Sequence, residues 1–374
     1  MKVTIPIKAL TAALNVVVPA AGRRSTLPIL GGVMIEASGS QIVFEATDLE
    51  ASARIIVKDE VNVLEEGCVV LPSKALGKAV STMKGEEVEL LADEGSHRAT
   101  LRCGSRVVTL DGFDPADWPR TDTTEHVSVA SVEAAVLAQA LNRVGLCASD
   151  DEARPALTSI ALFLNGGSIQ AVATDSYRMG VMEIPVEEAK PSDAFPLLVP
   201  ARVAKALAKQ LKGCRSRVQI RIRECSTSRA IVFSFENAVW TTRLVEGEFP
   251  NWQQLMPGFE GASCDFGSAE LASVLKTMAA IRSNGTPVRV SLGDQCSIRL
   301  SEQNSGDVTE ELTDARFTAD GVGPIEVAFN LDYLADALRF CGGDRVRIFV
   351  RDGLKPALLG TPEARYLLMP VRIA

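Results

Sequence analysis

Two aspartates lie in the same tripeptide, and their type and repetition could support acid–base chemistry. Ala46-Thr47-Asp48 recurs as Ala173-Thr174-Asp175. Two related lobes that each donate one aspartate can place two carboxylates around a shared proton, which is the dyad of an aspartic protease. Alternatively, each aspartate caps a turn after a strand by accepting backbone N–H bonds. The order Thr-Asp, where the protease has Asp-Thr-Gly, favours the turn, so no catalytic residue is predicted and a two-lobed hydrolase stays a minor alternative.

Other sequence signals of enzyme chemistry are missing. The chain has no phosphate-binding loop, no dinucleotide-binding glycine motif, no His-Glu-x-x-His and no Gly-x-Ser-x-Gly. Its eight cysteines form no Cys-x-x-Cys pair and it has two histidines, so we predict no metal site, no disulfide framework and no cofactor. The apolar stretch 10–22 is interrupted by Asn15 and Pro19, which excludes a membrane span. Reduced thiols indicate a cytoplasmic protein.

The elements that would hold such turns are repeated along the chain. Residues 28–48 align without a gap on 155–175, at an offset of 127, and Pro28, Leu30 and Ile42 have identical partners. With a one-residue slip, 71–74 align on 199–202, and a weaker third copy places 329–332 at the same point. Such internal repetition predicts duplicated domains. With the aromatic-proline turns at 118–119 and 249–250, we predict three domains: 1–122, 126–257 and 262–374.

Hydrophobic periodicity predicts an α+β fold with two helices in each repeat. Apolar residues at helical spacing predict helices over 7–20, 73–84, 131–144, 201–213, 268–282 and 331–339. Alternating apolar residues predict strands around 41–44, 88–91, 217–222, 288–290 and 346–350.

Basic charge is concentrated on the predicted helices. The chain has a net charge of −8, yet Lys and Arg outnumber Asp and Glu by 14 to 4 in these segments when Arg23 and Arg24 are included. Arg202, Lys205, Lys209 and Lys212 recur at spacings of three and four, which places them along one helix face. Each helix alone could simply present a solvated surface, but the segregation over all six favours a partner with phosphates. No base-reading motif accompanies it, which argues against sequence-specific binding.

Six motifs follow one another along the chain: 26–31 (TLPILG), 46–50 (ATDLE), 173–179 (ATDSYRM), 244–250 (LVEGEFP), Phe329-Asn330 and 369–372 (MPVR). In order and position they resemble one protein family over the whole chain, the beta subunit (sliding clamp) of bacterial DNA polymerase III. The resemblance implies three DNA-clamp domains, each with two helices packed on antiparallel sheets, and a head-to-tail homodimer that closes into a ring around double-stranded DNA. The implied function is that of a processivity factor that tethers the replicative polymerase. A non-replicative scaffold that uses the same ring is an alternative.

The resemblance also implies three sets of site residues. For DNA binding it implies Arg24, Lys74, Lys78, Lys205, Lys209 and Lys212. The implied groove takes short apolar peptides from the polymerase alpha subunit, the clamp loader and other replication or repair proteins. Its lining would be Leu157, Thr174, Ser176, Tyr177, Arg178, Met179, Pro250, Leu255, Tyr333, Leu354, Met369, Pro370, Val371 and Arg372. The implied dimer interface places Arg106 and Val107 of one protomer near Ile281 and Arg282 of the other.

The sequence departs from the family pattern at four places. Ser176-Tyr177 stands where many members have Gly-His, and the chain continues through Ile373-Ala374 where many end earlier. Arg282 replaces a commonly apolar residue, and the acidic Asp151 replaces an amide and would repel phosphate. Peptide preference and the details of the subunit contact are therefore expected to differ.

Overall fold

The computed structural model describes residues 1–22, 26–93, 95, 97–119, 127–187, 196–225, 228–283, 285–302, 306–319, 321 and 323–372. Within them the chain forms an α+β fold in which every strand pairing is antiparallel. The predicted border between the first two domains, at 122–126, and the predicted DNA contact Arg24 lie outside the described residues. None of the described helices is long and apolar enough to span a bilayer.

All six predicted helices are present, but the start of the helix predicted over 131–144 was wrong. The described helices are α1 Ile7–Val17, α2 Ser73–Thr82, α3 Ala134–Val144, α4 Ala201–Leu211, α5 Trp252–Leu255, α6 Ser268–Ile281 and α7 Leu331–Cys341. Residues 131–133 were predicted to be helical but continue a strand, because Ser131, Val132 and Glu133 pair with a neighbouring strand at Arg217–Gln219. The single turn α5 was not predicted, since a periodic pattern cannot show in four residues.

Strands make up most of the remaining described chain, and each of the five predicted strand cores lies inside one of them. They are β1 Lys2–Pro6, β2 Gly32–Ser38, β3 Gln41–Thr47, β4 Ala51–Val57, β5 Asn62–Glu65, β6 Gly67–Pro72, β7 Glu87–Ala92, β8 Arg98–Cys103, β9 Arg106–Asp111, β10 Val127–Glu133, β11 Ser159–Asn165, β12 Ser168–Thr174, β13 Arg178–Pro185, β14 Leu197–Pro200, β15 Arg217–Cys225, β16 Ser228–Phe235, β17 Ala238–Arg243, β18 Ala262–Gly267, β19 Pro287–Leu292, β20 Ser297–Glu302, β21 Gly306–Glu311, β22 Ala315–Thr318, β23 Ile325–Asn330, β24 Arg345–Val350, β25 Ala357–Thr361 and β26 Ala364–Leu368.

The first of two compact units comprises Met1–Ala138, Val186–Lys190 and Arg202–Leu244. It holds two sheets, with the orders β5-β1-β7-β8-β9 and β10-β15-β16-β17-β4-β3-β2-β6. Helix α1 contacts β3 and β4, and α2 contacts α1, β2 and β6. In the larger sheet β17 pairs with β4, where Trp240 lies opposite Ala53, so strands from two sequence repeats form one continuous sheet.

The second unit comprises Gln139–Pro185, Pro191–Ala201 and Val245–Ala374. Its sheets have the orders β14-β11-β12-β13-β26-β25-β24-β18-β22 and β21-β20-β19-β23. Helix α7 packs on β23, β25 and β26, and α6 packs on α7 and β18. Strand β13 pairs with β26, which again joins strands from different repeats in one sheet. The borders of the two units therefore differ from those of the three predicted domains, whose limits stay a prediction.

The repeat register seen in the sequence is also present in the structure. Adding 127 to the bounds of β2 and β3 gives those of β11 and β12, and β4 and β13 start 127 residues apart. A 3-10 turn that begins with proline precedes each set, at Pro28–Gly31 and Pro155–Thr158. The slipped segment also repeats, since β6 leads into α2 as β14 leads into α4. In the third copy, β23 leads into α7.

Gly180 allows close packing of β13 under α7, and this contact predicts a stability effect. A Cβ atom at Gly180 would lie 2.6 Å from Cε2 of Phe340 and 2.9 Å from Sγ of Cys147. Because both neighbours are buried, Gly180→Ala should overpack the core and destabilise the fold by roughly 1–3 kcal/mol. Gly167→Ala is the matched control, since its Cβ would have no neighbour within 4 Å. Urea unfolding should show a lower midpoint for the first variant only, and equal midpoints would contradict the packing described here.

Candidate functional site

The repeated Thr-Asp forms the same turn in both copies. Oδ1 of Asp48 accepts from the N–H groups of Glu50 and Ala51 at 3.1 and 2.7 Å. Oδ1 of Asp175 accepts from Tyr177 and Arg178 at 2.9 and 3.0 Å. The turn-capping interpretation is therefore confirmed.

The residue after each aspartate adopts a left-handed backbone, and an arginine holds the second carboxylate oxygen. The φ angles are 75° at Leu49 and 80° at Ser176. Arg202 donates to Oδ2 of Asp48 at 2.8 Å, and Arg178 donates to Oδ2 of Asp175 at 2.9 Å. Both oxygens of each carboxylate therefore already have donors, and neither aspartate is arranged to share a proton with a second carboxyl group.

Arg178 links the second turn to helix α7. Its side chain is 11% exposed and donates to Oδ2 of Asp336 at 2.6 Å in addition to its bond with Asp175. Its guanidinium carbon lies 4.3 Å from the ring centroid of Tyr333, which is a cation–π contact. Arg178 thus sits between two carboxylates and a ring and fixes the turn to the first half of α7.

Two tyrosines form an aromatic wall at this turn. The rings of Tyr177 and Tyr333 are stacked at 6.5 Å between centroids with 28° between their planes. Burial, with the nearby Asp175 carboxylate, raises the pKa of Tyr333 above its usual range, so its phenol stays neutral and can donate a hydrogen bond. Tyr177 is 61% exposed and presents its ring to solvent.

An apolar cluster lies beneath the turn. Val172, Met179, Val181, Trp252 and Leu367 are buried together, and Phe163, Phe249 and Met256 pack against them. Trp252 comes from the short helix α5, so the segment that contains Pro250 and Leu255 is anchored to the strands that carry Met179. Phe163 contacts Phe249 and Trp252 at 6.3 and 6.2 Å between ring centroids.

The C-terminal segment borders the same surface. The N–H of Met369 donates to the carbonyl of Tyr177 at 2.9 Å, and the N–H of Val371 donates to that of Ala328 at 2.8 Å. Loop 351–356 approaches β23, the strand that carries Ala328. A Cβ atom at Gly353 would lie 2.4 Å from the carbonyl oxygen of Glu326 on that strand. The turn, α5, the loop carrying Leu354 and the tail thus come together in the second unit.

The predicted groove residues divide into an exposed or half-buried set, which we call the rim, and a buried set beneath it. The exposed members are Ser176, Tyr177, Leu255, Leu354, Met369 and Arg372, and the half-buried ones are Arg178, Pro250, Tyr333, Pro370 and Val371. In contrast, Leu157, Thr174 and Met179 are buried. They lie beneath the exposed members, and their place in the lining of a groove stays a prediction. We call the rim residues, with the apolar cluster beneath them, the second-unit groove.

Arg154, Asp336 and Trp252 also belong to this site, although the sequence did not predict them. Arg154 donates to Oγ of Ser176 at 2.9 Å and to Oδ2 of Asp151 at 2.9 Å. The backbone N–H of Ala153 and then Arg154 lower the pKa of Asp151, which keeps that carboxylate charged. The partner of Asp151 in this structure is thus an arginine three residues away. Only Trp252 had a sequence signal, namely an aromatic residue two positions after the Pro of the Phe-Pro turn.

The predicted DNA contacts on helices α2 and α4 are accessible. Lys74, Lys78, Lys209 and Lys212 are exposed and Lys205 is half-buried, while Leu76, Val80, Val203 and Leu207 face the core. Lys212 follows the last residue of α4. The opposed basic and apolar faces agree with the predicted amphipathic pattern.

The predicted subunit-contact residues lie at the ends of two elements. Arg106 and Val107 are exposed on β9, which is an edge strand of the five-stranded sheet. Ile281 ends α6 and is half-buried. Arg282 donates to both carboxylate oxygens of Asp332 at 2.7 and 2.6 Å, so its charge is paired within the second unit.

In the part of the chain that the structure describes, no three His, Cys, Asp or Glu side chains converge on a metal position.

Comparison with known proteins matches nearly the whole chain to one family. Three family models match in order: the DNA polymerase III beta subunit N-terminal domain over residues 1–122, its central domain over 131–251 and its C-terminal domain over 253–372. A beta sliding clamp of Streptomyces coelicolor is 29% identical over 364 residues, covering 94% of each chain. A beta sliding clamp of Staphylococcus aureus is 27% identical over 372 residues, covering 96% of each.

Solved structures show the same fold. The DNA polymerase sliding clamp from Bacillus subtilis has a TM-score of 0.88 at 23% identity, with full coverage of both chains. A sliding clamp from Bartonella birtlesii, crystallised with griselimycin bound, has a TM-score of 0.88 at 24% identity, again with full coverage. The chain has three clamp domains and belongs to the DNA polymerase III beta subunit family, the beta sliding clamps.

Proposed function

We propose that this chain is a sliding clamp, a processivity factor that encircles duplex DNA and tethers the replicative DNA polymerase to it. The observation that carries the proposal is the second-unit groove. Tyr177, Leu255 and Met369 are exposed on segments that adjoin the buried apolar cluster, and Leu354 is exposed on loop 351–356, which approaches strand β23. Exposed apolar residues grouped in this way mark a binding surface. A groove with a methionine, aromatic residues and an arginine suits short apolar peptides.

The peptide partners follow from the family. We propose that the groove binds the alpha subunit of DNA polymerase III, the clamp loader and other proteins that carry a clamp-binding peptide. One groove that several partners share in turn explains why adaptable residues such as Met369 form the rim. We therefore propose that the clamp works in the cytoplasm, at the replicating chromosome.

The helices supply attraction to DNA without sequence preference. Exposed lysines on α2 and α4 can approach backbone phosphates, and such contacts weaken steeply with salt. A closed ring does not depend on this attraction, because it cannot leave an uninterrupted duplex. Weak contacts therefore allow sliding, while the tether keeps the polymerase at a high local concentration.

We propose no catalytic role, cofactor or metal for the chain. Both oxygens of Asp48 and of Asp175 are engaged by their own turns and by an arginine. A hydrolase that uses these aspartates would require carboxyl groups able to exchange a proton. Hydrolysis of a peptide or ester that disappears in Asp48→Asn or Asp175→Asn would refute this part of the proposal.

Ring closure would use two different surfaces of the protomer. We propose that Arg106 and Val107 on β9 meet Ile281 and Arg282 of a second copy, which is a head-to-tail contact that closes after two copies. An exposed edge strand invites pairing with another chain, and closure removes that edge. Light scattering should give about twice the 39.9 kDa of one chain.

Val107→Lys should weaken this dimer. Val107 is 57% exposed in one chain, so the lysine costs little in the free protomer. In the proposed contact it would be buried near Arg282, where an unpaired charge costs several kcal/mol. Val239→Lys is the matched control, because Val239 is 38% exposed on β17, a strand that is not at the edge of its sheet. Sedimentation should show monomers for the first variant and dimers for the control. Dimers in both would place the subunit contact elsewhere.

A further inference from the structure

Two buried cysteines lie side by side in the second unit. Sγ of Cys264 and Sγ of Cys296 are 3.4 Å apart, and the two residues are 0% and 5% exposed. Among the seven cysteine side chains that the structure describes, no other two are in such contact. A disulfide bond is about 2.05 Å long, so the two sulfur atoms have to approach by only about 1.4 Å more.

The two cysteines belong to different sheets. Cys264 lies on β18 of the nine-stranded sheet, where it pairs with Ile348, and Cys296 lies between β19 and β20 of the four-stranded sheet. They are 32 positions apart in the sequence, and helix α6 lies between them. A bond between the two sulfurs would therefore join the sheets covalently and close a loop that contains α6. A cross-link of this kind stabilises a fold mainly because it constrains the unfolded chain.

Cys296 is the sulfur that a reagent reaches first. It follows Asp294 and Gln295, which are exposed in the connection between β19 and β20. Cys264, in contrast, lies within a strand that is paired on both sides, with β22 and β24. Burial, and then the hydrogen bond with Cys296, raise the pKa of the Cys264 thiol. Since the thiolate is the reactive form, Cys264 is not the thiol that reacts first.

We propose that Cys264 and Cys296 are a site of oxidative modification, at which a low-molecular-weight disulfide such as oxidised glutathione converts the two thiols into one disulfide bond that stabilises the second unit. In the first step Cys296 loses its proton, its thiolate attacks one sulfur of the reagent, and one glutathione thiolate leaves. In the second step Cys264 loses its proton and attacks Sγ of Cys296, which releases the second glutathione thiolate. The two protein thiols lose two electrons and two protons, and the reagent takes them up as two thiols. The inference goes beyond the proposed clamp function and does not depend on it.

Peptide mapping without reduction tests the bond in the unchanged protein. The full chain is incubated with excess oxidised glutathione, its remaining thiols are alkylated, and it is digested with trypsin. Cleavage after Lys and Arg yields peptides 244–276 and 290–299, each with a single cysteine. These two peptides should be found linked, and reduction should separate them. The link should be absent in Cys296→Ala and kept in Cys103→Ala, the matched control that removes a buried cysteine from the first unit.

Thermal unfolding gives a second readout. Oxidation should raise the unfolding midpoint by roughly 3–10 °C, a reducing agent should reverse the rise, and Cys296→Ala should show no rise. Absence of the link while glutathione modifies the exposed Cys68 would overturn the proposal. A stable glutathione adduct on Cys296 without the link would also overturn it, and so would a link that forms only in urea. A link that leaves the midpoint unchanged would overturn the stabilising effect.

Discussion

Deletion of residues 369–374 should abolish binding of the polymerase and leave the dimer intact. The deletion removes the exposed Met369 together with Pro370, Val371 and Arg372, which form one border of the second-unit groove. Anchor residues of an interface each cost about 2 kcal/mol or more when removed, which is roughly 30-fold in affinity. Strand β26 ends at Leu368, so the sheet is kept, and the proposed subunit-contact residues lie elsewhere in the sequence.

The matched control ends the chain after Arg372. It removes only Ile373 and Ala374, and binding of the polymerase should stay close to that of the full chain. Pull-down and surface plasmon resonance with the polymerase alpha subunit measure both truncations, with light scattering as the check on the dimer. If the longer deletion still captured the polymerase with unchanged affinity, the groove would have been placed wrongly.

Arg178→Ala should be the most destabilising single change at the site. Its guanidinium lies between Asp175 and Asp336, at 2.9 and 2.6 Å, and all three side chains are at most 17% exposed. Removal of one partner from a buried ion pair costs about 3–5 kcal/mol, because the remaining charges lose their compensation. The turn would also lose its link to α7, so peptide binding should weaken together with stability.

Arg339→Ala is the control for this variant. Arg339 bonds the same Asp336 at 3.0 Å, but its side chain is 72% exposed. An exposed ion pair contributes about 1 kcal/mol or less. In urea unfolding followed by circular dichroism, Arg178→Ala should therefore lower the unfolding midpoint strongly, and Arg339→Ala should barely change it. Similar midpoints would mean that the Asp175–Arg178–Asp336 network does not hold the turn.

Local patterns predicted much of the fold. The positions of the six long helices, the register of 127 residues and the capping role of Asp48 and Asp175 follow from spacing within one element or turn. Such features depend on near neighbours in the chain, which a single sequence displays. The start of α3 was missed because 131–133 have apolar spacing that suits a helix, while pairing with β15 makes them a strand.

Long-range contacts could not be predicted from the pattern. Arg178 reaches Asp336 across 158 residues, and no periodicity marks either as the partner of the other. Met179 and Leu157 were expected in the groove from their place in the family motif, but both are buried. Whether an apolar residue next to a binding surface lines it or supports it depends on packing, which only the structure shows.

The aromatic wall is where this chain departs most visibly from the family pattern. Tyr177 stands where many members have histidine, and its ring stacks on Tyr333 while its carbonyl accepts from Met369. Tyr177, the residue that differs from the family pattern, thus connects the aromatic wall to the C-terminal segment. Peptide preference should accordingly depend on this position more than on the buried cluster below.

Retention on circular DNA tests the closed ring most directly. The clamp is loaded on a nicked circular plasmid by its clamp loader and ATP, separated from free protein by gel filtration at about 150 mM salt, and the plasmid is then cut once with a restriction enzyme. We expect the protein to elute with the circle and to be lost within minutes after the cut, because it slides off the ends. Protein that stays bound to linear DNA, or that never elutes with the circle, would contradict the claim that a topological link holds it.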